Sequence, residues 1–391
     1  MTAGALLAWL DLLGRGLHVV AGIAWIGASF YFIWLDNHLE APADAAAAAR
    51  GVSGELWAVH GGGMYHAQKY LVMAPAMPAH LHWFKWEAYT TLLSGLFLLG
   101  IVYYAHADAY LFEAGRTPLS PAGAVATSVA FLAGGWLVYD ALCRSPLGRN
   151  DRVLGLVLAV LCAIAAYGLC ALFPGRAAFL HFGAMLGTIM VLNVFAVIIP
   201  GQRKMVASLA AGTAPDPVHG LRGKQRSVHN TYFTLPVVFA MISNHYAFLY
   251  GATHNAAVLI GIAVAAALVR TFFVARHRGR ASPLWIAGAV ASLAAVGVLV
   301  SSAAPPAAVP GTQAVAGILQ ARCAPCHAAR PTFAGFETAP KGVVLETPAQ
   351  LALHAPRVRE QLAARAMPLG NLTHMTEGER AALLAAVEGA R

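Results

Sequence analysis

Long apolar runs recur from the N-terminus to about residue 302, and each is long enough to form a helix that crosses a bilayer. About 20 predominantly apolar residues are needed for one crossing, because every backbone polar group must be hydrogen-bonded within its own helix. The runs predict eight transmembrane helices, near residues 13–35, 88–105, 122–141, 153–173, 178–199, 229–250, 255–274 and 283–302. The pattern therefore indicates an all-α, polytopic membrane bundle.

The pattern changes after residue 302. Residues 303–311 are rich in Pro and Ala, which is typical of a stiff linker. The remaining residues, 312–391, have a mixed, helix-like pattern without another long apolar run. We therefore expect a transmembrane domain at 1–302, a linker at 303–311 and a small all-α domain at 312–391.

The composition agrees with this division. Of the 391 residues, 59% are hydrophobic and 11% are charged, whereas about 25% of a typical soluble domain is charged. The net charge of +9 is scattered between apolar runs instead of clustered on one face, so we expect no nucleic-acid partner.

The basic residues instead indicate orientation, because cytoplasmic loops collect Lys and Arg. One set of alternate loops holds nearly all of them, and Arg226 and Arg270 are assigned to that set. The other set holds only Arg116 and Arg176. This asymmetry predicts a protein of the bacterial inner membrane whose N-terminus and C-terminal domain are both periplasmic.

The C-terminal domain contains Cys323-Ala324-Pro325-Cys326-His327, the attachment pattern of c-type haem. Two thiols one helical turn apart form thioethers with the haem vinyl groups, and the adjacent imidazole binds the iron. A Met-Pro loop follows ahead of a predicted helix near 376–387, an arrangement that resembles the class I cytochrome c family. The resemblance implies Met367 as the second axial ligand, with Met375 and His354 as competitors.

Several of the 16 histidines fall inside apolar runs. Polar side chains within a bilayer are costly and usually mark a functional interior. His18, His181 and His245 lie in predicted helices one, five and six, where imidazoles on facing helices are suited to bind haem b. A hydrogen bond to a neighbouring helix is the alternative for each. His18 is favoured because residues 17–27 resemble the first helix of CopD-like and HemJ-like membrane proteins, in some of which this histidine binds haem.

The loop between the first two predicted helices is rich in Gly, aromatic and basic residues. Glycine permits close approach of a ligand, aromatic rings offer stacking faces, and Lys and His supply charge and proton transfer. These residue types suit a flat, anionic, aromatic molecule. The candidates are His66 and His82 as bases, Lys69 and Lys85 as charge partners, and Trp83 and Trp86 as stacking surfaces. An interfacial aromatic belt with basic residues is the alternative.

Taken together, the first-helix segment, the loop motifs at 57–70 and 78–89, residues 135–140 and the Cys-Ala-Pro-Cys-His motif resemble the membrane-bound, cytochrome-c-linked urate hydroxylases of the PuuD type. The resemblance implies eight transmembrane helices, a periplasmic cytochrome c domain and oxidation of urate to 5-hydroxyisourate. It also implies that electrons pass to soluble cytochrome c or a terminal oxidase, so that no hydrogen peroxide need form.

The expected chemistry imposes a geometric demand. His66 or His82 would take a ring N–H proton while two electrons leave one at a time, and water would add at carbon five. Urate bound at the cytoplasmic face would be separated from a periplasmic haem by roughly 30 Å of hydrocarbon. We therefore expect at least one haem b, with His18 as one ligand and His181 or His245 as the other. Without haem b, urate must bind near the periplasmic face, beside His18, His106, His181 and His245.

Two other functions are compatible with the sequence. The first is an electron-transfer subunit, which has no substrate site of its own and moves electrons from quinol or a partner to a terminal oxidase. A copper- or haem-handling protein is suggested only by the first helix. Reduction of the c-type haem by urate under anaerobic conditions distinguishes the enzyme from the subunit.

Overall fold

The computed structural model describes residues 3–70, 78, 80–113, 117–301 and 311–389. Ala79, Arg116 and the predicted linker up to residue 310 lie outside these residues. The structure is mostly helical, at 75%, which confirms the helical character predicted from the sequence.

In chain order, the helices are α1 (Ala3–His38), α2 (Ala45–Ala49), α3 (Trp86–Leu98), α4 (Ala107–Tyr110), α5 (Pro121–Arg144), α6 (Asp151–Leu172), α7 (Gly175–Asn193), α8 (Ile199–Ala210), α9 (Pro217–Ile242), α10 (Ala247–Tyr250), α11 (Asn255–His277), α12 (Pro283–Ser301), α13 (Thr312–Ile318), α14 (Ala324–His327), α15 (Pro348–Leu353), α16 (Ala355–Ala363) and α17 (Glu377–Gly389).

Seven helices within the described part of the chain are long and apolar enough to cross a membrane. They are α1, α3 with its π-helical extension Leu99–Tyr104, α5, α6, α7 continuing through Val194–Ile198 into α8, α11 and α12. Each of them coincides with a run predicted from the sequence. Their length and composition support the prediction of a membrane protein.

The predicted span at 229–250 is not among those seven. Its residues are divided between α9, a short 3₁₀ turn at Ser243–His245 and α10, and α9 begins with a polar stretch. Helix α9 nevertheless packs antiparallel to α7. A Cβ atom on Gly183 would lie 2.5 Å from the Cβ atom of Ala240, and the Asn230 side chain donates a hydrogen bond of 3.0 Å to the Met190 carbonyl.

Contacts divide the chain into two compact units. The first unit comprises Met1–Leu98, Leu186–Leu235 and Ala266–Ala289, and the second comprises Leu99–Met185, Pro236–Ala265 and Val290–Arg391. The C-terminal segment therefore shares the second unit with the helical segments between residues 99 and 185.

In the first unit, α1 packs closely against α3. A Cβ atom on Gly14 would lie 2.9 Å from the Phe97 ring, and one on Gly95 would lie 3.1 Å from the imidazole of His18. These two glycines permit the close approach of the helices.

The first unit also contains a β-hairpin where the sequence predicted a loop. Strand β1 (Val52–His60) pairs antiparallel with β2 (Gly63–Tyr70), and Gly61 and Gly62 form the turn with φ of 58° and 81°. Two successive positive φ angles favour glycine, which makes Gly-Gly a hairpin signal. The all-α prediction therefore omitted one two-stranded sheet.

In the second unit, the C-terminal segment has a small apolar core. The core consists of residues from α13 to α17 and the loops between them: Val315, Leu319, Leu345, Leu351, Val358, Leu362, Met375, Leu383 and Val387. Helix α17 begins with a capping box, because the Thr376 hydroxyl accepts from the Glu379 N–H and the Glu379 carboxylate accepts from the Thr376 N–H. Arg322 binds the same carboxylate at 3.0 Å.

This carboxylate gives the segment an acid-sensitive contribution to stability. Burial alone would raise the pKa of Glu379, but hydrogen bonds from Thr376 and Arg322 outweigh it, so its pKa is lowered from 4.5. Because the folded pKa is lowered, this stabilisation is present above pH 4.5 and disappears as the pH falls through the folded pKa.

We therefore expect Glu379→Gln to destabilise the C-terminal segment by about 1 kcal/mol at pH 7 and by progressively less below pH 4.5. Glutamine can keep the capping-box hydrogen bond from the Thr376 N–H, while it removes the charge and one of the two oxygens that accept from Arg322. Urea unfolding monitored at several pH values measures the difference. Glu388→Gln, at the exposed pair with Arg359, is the control, and an equal pH-dependent loss in that variant would contradict the assignment.

Candidate functional sites

The Cys-Ala-Pro-Cys-His motif lies at the junction of a π-helical turn, Leu319–Cys323, and α14. Both thiols are free and partly buried. Burial raises the pKa of Cys323 to about 11, and burial also raises the pKa of Cys326. The thiols are therefore protonated at neutral pH.

His327 has a defined tautomer. Its Nδ1 atom lies 2.8 Å from the Val343 carbonyl oxygen, and a carbonyl oxygen can only accept, so Nδ1 carries the proton. Nε2 then holds a lone pair, which is the state an iron ligand needs. The motif thus fits c-type haem in its two free thiols and in its oriented imidazole.

The predicted axial ligand and its competitors have different surroundings. Met375 is 3% exposed and packs within the apolar core of the segment. Met367 lies in the loop between α16 and α17, half-buried, with its carbonyl accepting a hydrogen bond from Arg380. His354 lies at the boundary between α15 and α16. Met367 as the axial ligand, with Met375 and His354 as competitors, stays a prediction.

The loop that carries Met367 contacts other helices of the second unit. Gly370 has a φ of 56°, and a Cβ atom there would lie 2.8 Å from the carbonyl oxygens of Asp108 and Ala109. A Cβ atom on Gly251 would lie 2.1 Å from the Cα atom of Ala364. The loop is therefore held against α4 and α10 by backbone contacts that only glycine permits.

His181, on α7, is fully buried. Its Nδ1 atom lies 2.7 Å from the Ala177 carbonyl oxygen, so Nδ1 is the donor, and its Nε2 atom is buried with no hydrogen-bond partner. The ring stacks on Phe173 at 5.5 Å and meets the edge of Tyr103 at 5.7 Å. An unsatisfied buried nitrogen costs free energy, and binding a metal through its lone pair would remove that cost.

His18 is held in a similar way in the first unit. Its Nδ1 atom lies 3.0 Å from the Thr91 carbonyl oxygen and 3.1 Å from the Ser94 hydroxyl. The carbonyl again makes Nδ1 the donor and leaves the lone pair on Nε2. His245 is different, because it is exposed at the end of the Ser243–His245 turn. Of the two histidines considered as partners of His18, His181 has the environment of a ligand.

The hairpin holds two of the predicted substrate residues, and both already have partners. His66 contacts the Glu55 carboxylate at 2.9 Å and stacks on Trp57 at 4.1 Å. Lys69 forms an ion pair of 2.7 Å with Asp36. A hydrogen bond from the Ala43 N–H, followed by those from Gln68 and His66, lowers the pKa of Glu55.

The other four predicted substrate residues lie at the start of α3. His82 meets Phe84 edge-on at 4.5 Å. Trp83 packs on the cluster formed by Ala88, Val191, Val194 and Ile199. The Lys85 ammonium lies 5.3 Å from the centre of the Trp86 ring, which is 64% exposed. The contacts of these four residues are with Phe84, the apolar cluster and each other, and none of these contacts is with His66 or Lys69.

Two of the arginines that the sequence assigned to cytoplasmic loops are buried inside helices. Arg226, on α9, is 3% exposed and contacts the Asn193 side chain at 3.4 Å. Arg270, on α11, is 5% exposed, with its guanidinium 4.0 Å from the centre of the Phe30 ring. Their burial in helices differs from the exposed loop positions that the sequence analysis gave them, and the side of the membrane on which they lie stays a prediction. A signal was available for Arg270, which lies within the apolar run predicted at 255–274.

We expect Gly370→Ala to destabilise the contact of the Met367 loop by at least about 1–2 kcal/mol, since alanine is strained at positive φ and its Cβ atom would meet two carbonyl oxygens. Limited proteolysis of the folded protein should then cleave the loop faster. Gly317→Ala is the control, because that glycine lies in α13 with no atom within 4 Å of an added Cβ. Equal cleavage rates in the two variants would show that the contact does not hold the loop.

Comparison with known proteins identifies the family. The family model described as urate oxidase N-terminal matches residues 4–301. The matched range includes the seven apolar helices and ends before the C-terminal segment. No match was found among curated proteins or among solved structures. Since the match covers most of its 391 residues, this chain belongs to the urate oxidase N-terminal family.

Proposed function

We propose that this chain is a membrane-bound oxidoreductase that hydroxylates urate to 5-hydroxyisourate and passes the electrons through haem to its C-terminal segment, a domain like cytochrome c. The family match over residues 4–301 is the observation that carries the proposal. The haem-attachment motif supports it, because it supplies an electron acceptor in the same chain.

The haem c would be held by four residues whose placement supports these roles: Cys323 and Cys326 as thioethers, and His327 and Met367 as axial ligands. When bound, it would accept electrons one at a time. The Val343 carbonyl holds the imidazole of His327, and Arg380 holds the backbone of Met367. Of the four residues, Cys323 packs against the apolar core of the segment.

In the membrane domain, we propose His18 and His181, each taken by itself, as ligands of b-type haem. Each donates through Nδ1 to a backbone carbonyl and keeps its Nε2 lone pair. His245 is the weaker candidate because it is exposed.

The topology completes the proposal. Because α9 packs antiparallel to α7, we propose that it crosses the bilayer as an eighth span, which gives domains at 1–302 and 312–391 joined by a linker at 303–311. With an even number of spans and the distribution of basic residues, the N-terminus and the cytochrome c domain would lie in the periplasm of a bacterial inner membrane.

The reaction requires a base and a water molecule. Urate plus water gives 5-hydroxyisourate plus two protons and two electrons, with the new C–O bond formed at carbon five. His66 is suited to take a ring proton, because Glu55 binds its Nε2 atom and orients the imidazole. His82, whose ring contacts Phe84, is the second candidate.

The electrons would leave to soluble cytochrome c or a terminal oxidase. The alternative, an electron-transfer subunit fed by quinol or a partner, receives support only from the haem motif and the membrane histidines. The match to the urate oxidase N-terminal family does not support this alternative.

The proposal is tested by adding urate anaerobically to the oxidised, purified protein. We expect the absorption band of reduced c-type haem to appear, and ¹⁸O from labelled water to enter 5-hydroxyisourate. Cys326→Ala, which removes one thioether, is the control for the origin of the band. No reduction by urate alone, with reduction by quinol, would establish the subunit function instead.

The haem b ligands are tested separately. We expect His181→Ala and His18→Ala each to remove b-type haem from the pyridine haemochrome spectrum, because each removes an axial ligand, while c-type haem is retained. His245→Ala, the matched control, should keep both pigments. If the wild-type protein contains only c-type haem, or if His245→Ala alone loses the b-type pigment, the assignment is wrong.

A further inference from the structure

Arg270 has an unusual environment for a charged side chain. It lies inside the apolar helix α11 and is 5% exposed, yet its Nε and Nη2 atoms are buried without hydrogen-bond partners. Within the described residues it forms no ion pair. A buried charge without a partner is strongly destabilising, so a group that pairs with this guanidinium is expected.

The chain itself supplies no buried counter-charge near Arg270. In the described part of the first unit, every Asp and Glu is exposed or half-buried, whereas Arg226 and Arg270 are both buried. A charged side chain near a helix end often extends to the lipid headgroups, but the burial of Arg270 excludes contact with a lipid phosphate. An anion bound inside the protein would supply the missing counter-charge.

The two unpaired donors define the shape of that anion. The guanidinium carbon lies over the Phe30 ring, 4.0 Å from its centre, while Nε and Nη2 make no hydrogen bond. Nε and Nη2 share one edge, and their N–H groups point in parallel, so this edge binds two acceptor atoms of a planar group. Tyr232, on α9, lies within electrostatic range of the same guanidinium.

We propose that Arg270 is the residue that binds the urate anion, through its Nε–Nη2 edge. The inference rests on the proposed function and adds a binding residue to it. In the urate anion, a ring nitrogen and a neighbouring carbonyl oxygen flank one carbon, as the two oxygens of a carboxylate do. The pair therefore matches the donors of Arg270.

This assignment differs from the one that the sequence favoured. Lys69 is neutralised by Asp36, and Lys85 lies over the exposed ring of Trp86. Neither lysine offers two parallel donors, whereas the guanidinium does. The charge partner of urate is then a buried residue of α11 instead of a lysine of the loop.

Equilibrium dialysis of radiolabelled urate against dithionite-reduced, full-length protein measures binding without turnover. We expect Arg270→Gln to weaken urate binding about a hundredfold and Arg270→Lys about tenfold, because the charge-assisted pair of hydrogen bonds is lost wholly or in part. Arg276→Gln removes the same charge from an exposed position of the same helix. That variant should bind urate as the wild type does.

The outcomes separate this inference from the proposed function. If the wild type binds urate and Arg270→Gln binds it equally well, the inference is wrong and the proposed function stands. If the wild type neither binds urate nor is reduced by it, the proposed function itself fails. Should Arg270→Gln fail to fold, as judged by gel filtration and haem content, Arg270→Lys decides. It retains the positive charge, and an unchanged affinity would overturn the inference.

Discussion

Inside the hydrocarbon layer, no water satisfies an imidazole nitrogen or a guanidinium, so each such group must find its partner within the protein or in a bound molecule. His181 and Arg270 are both buried in apolar helices with unpaired nitrogen atoms. The imidazole offers a lone pair and the guanidinium offers protons. One therefore suits a metal and the other an anion, which is the physical basis for proposing a haem ligand at His181 and an anion-binding role for Arg270.

The sequence predicted the long helices well because their signal is strong. A run of apolar residues long enough to span a bilayer has few alternatives, and seven of the predicted runs coincide with apolar helices. The run at 229–250 does not form one continuous helix. Pro236 cannot donate a backbone hydrogen bond within α9, and the 3₁₀ turn at Ser243–His245 ends the helix. The hairpin was not predicted, although Gly61 and Gly62 are a signal for a turn between two strands.

The candidate sites were predictable to different degrees. Local spacing identifies Cys323, Cys326 and His327, because thioether formation and iron binding need residues adjacent in sequence. The partners of the other residues come from distant parts of the chain. Asp36 pairs with Lys69, and Phe30 lies against Arg270; neither contact follows from composition or periodicity. Position within an apolar run was the only signal for Arg270, and counting basic residues for topology placed it in a loop.

In the C-terminal segment, hydrogen bonds order the loop that carries Met367, the proposed iron ligand. Its apolar core is small, and domains of this size usually need a further stabilising group. Arg380 donates to the carbonyls of Leu362 and Met367, and Arg322 donates to the carbonyl of Thr373. Two arginines thus fix the backbone on both sides of the loop through hydrogen bonds that do not involve the Met367 thioether. The loop therefore loses its conformational entropy when the segment folds. Binding of Met367 to iron would then need little further reorganisation.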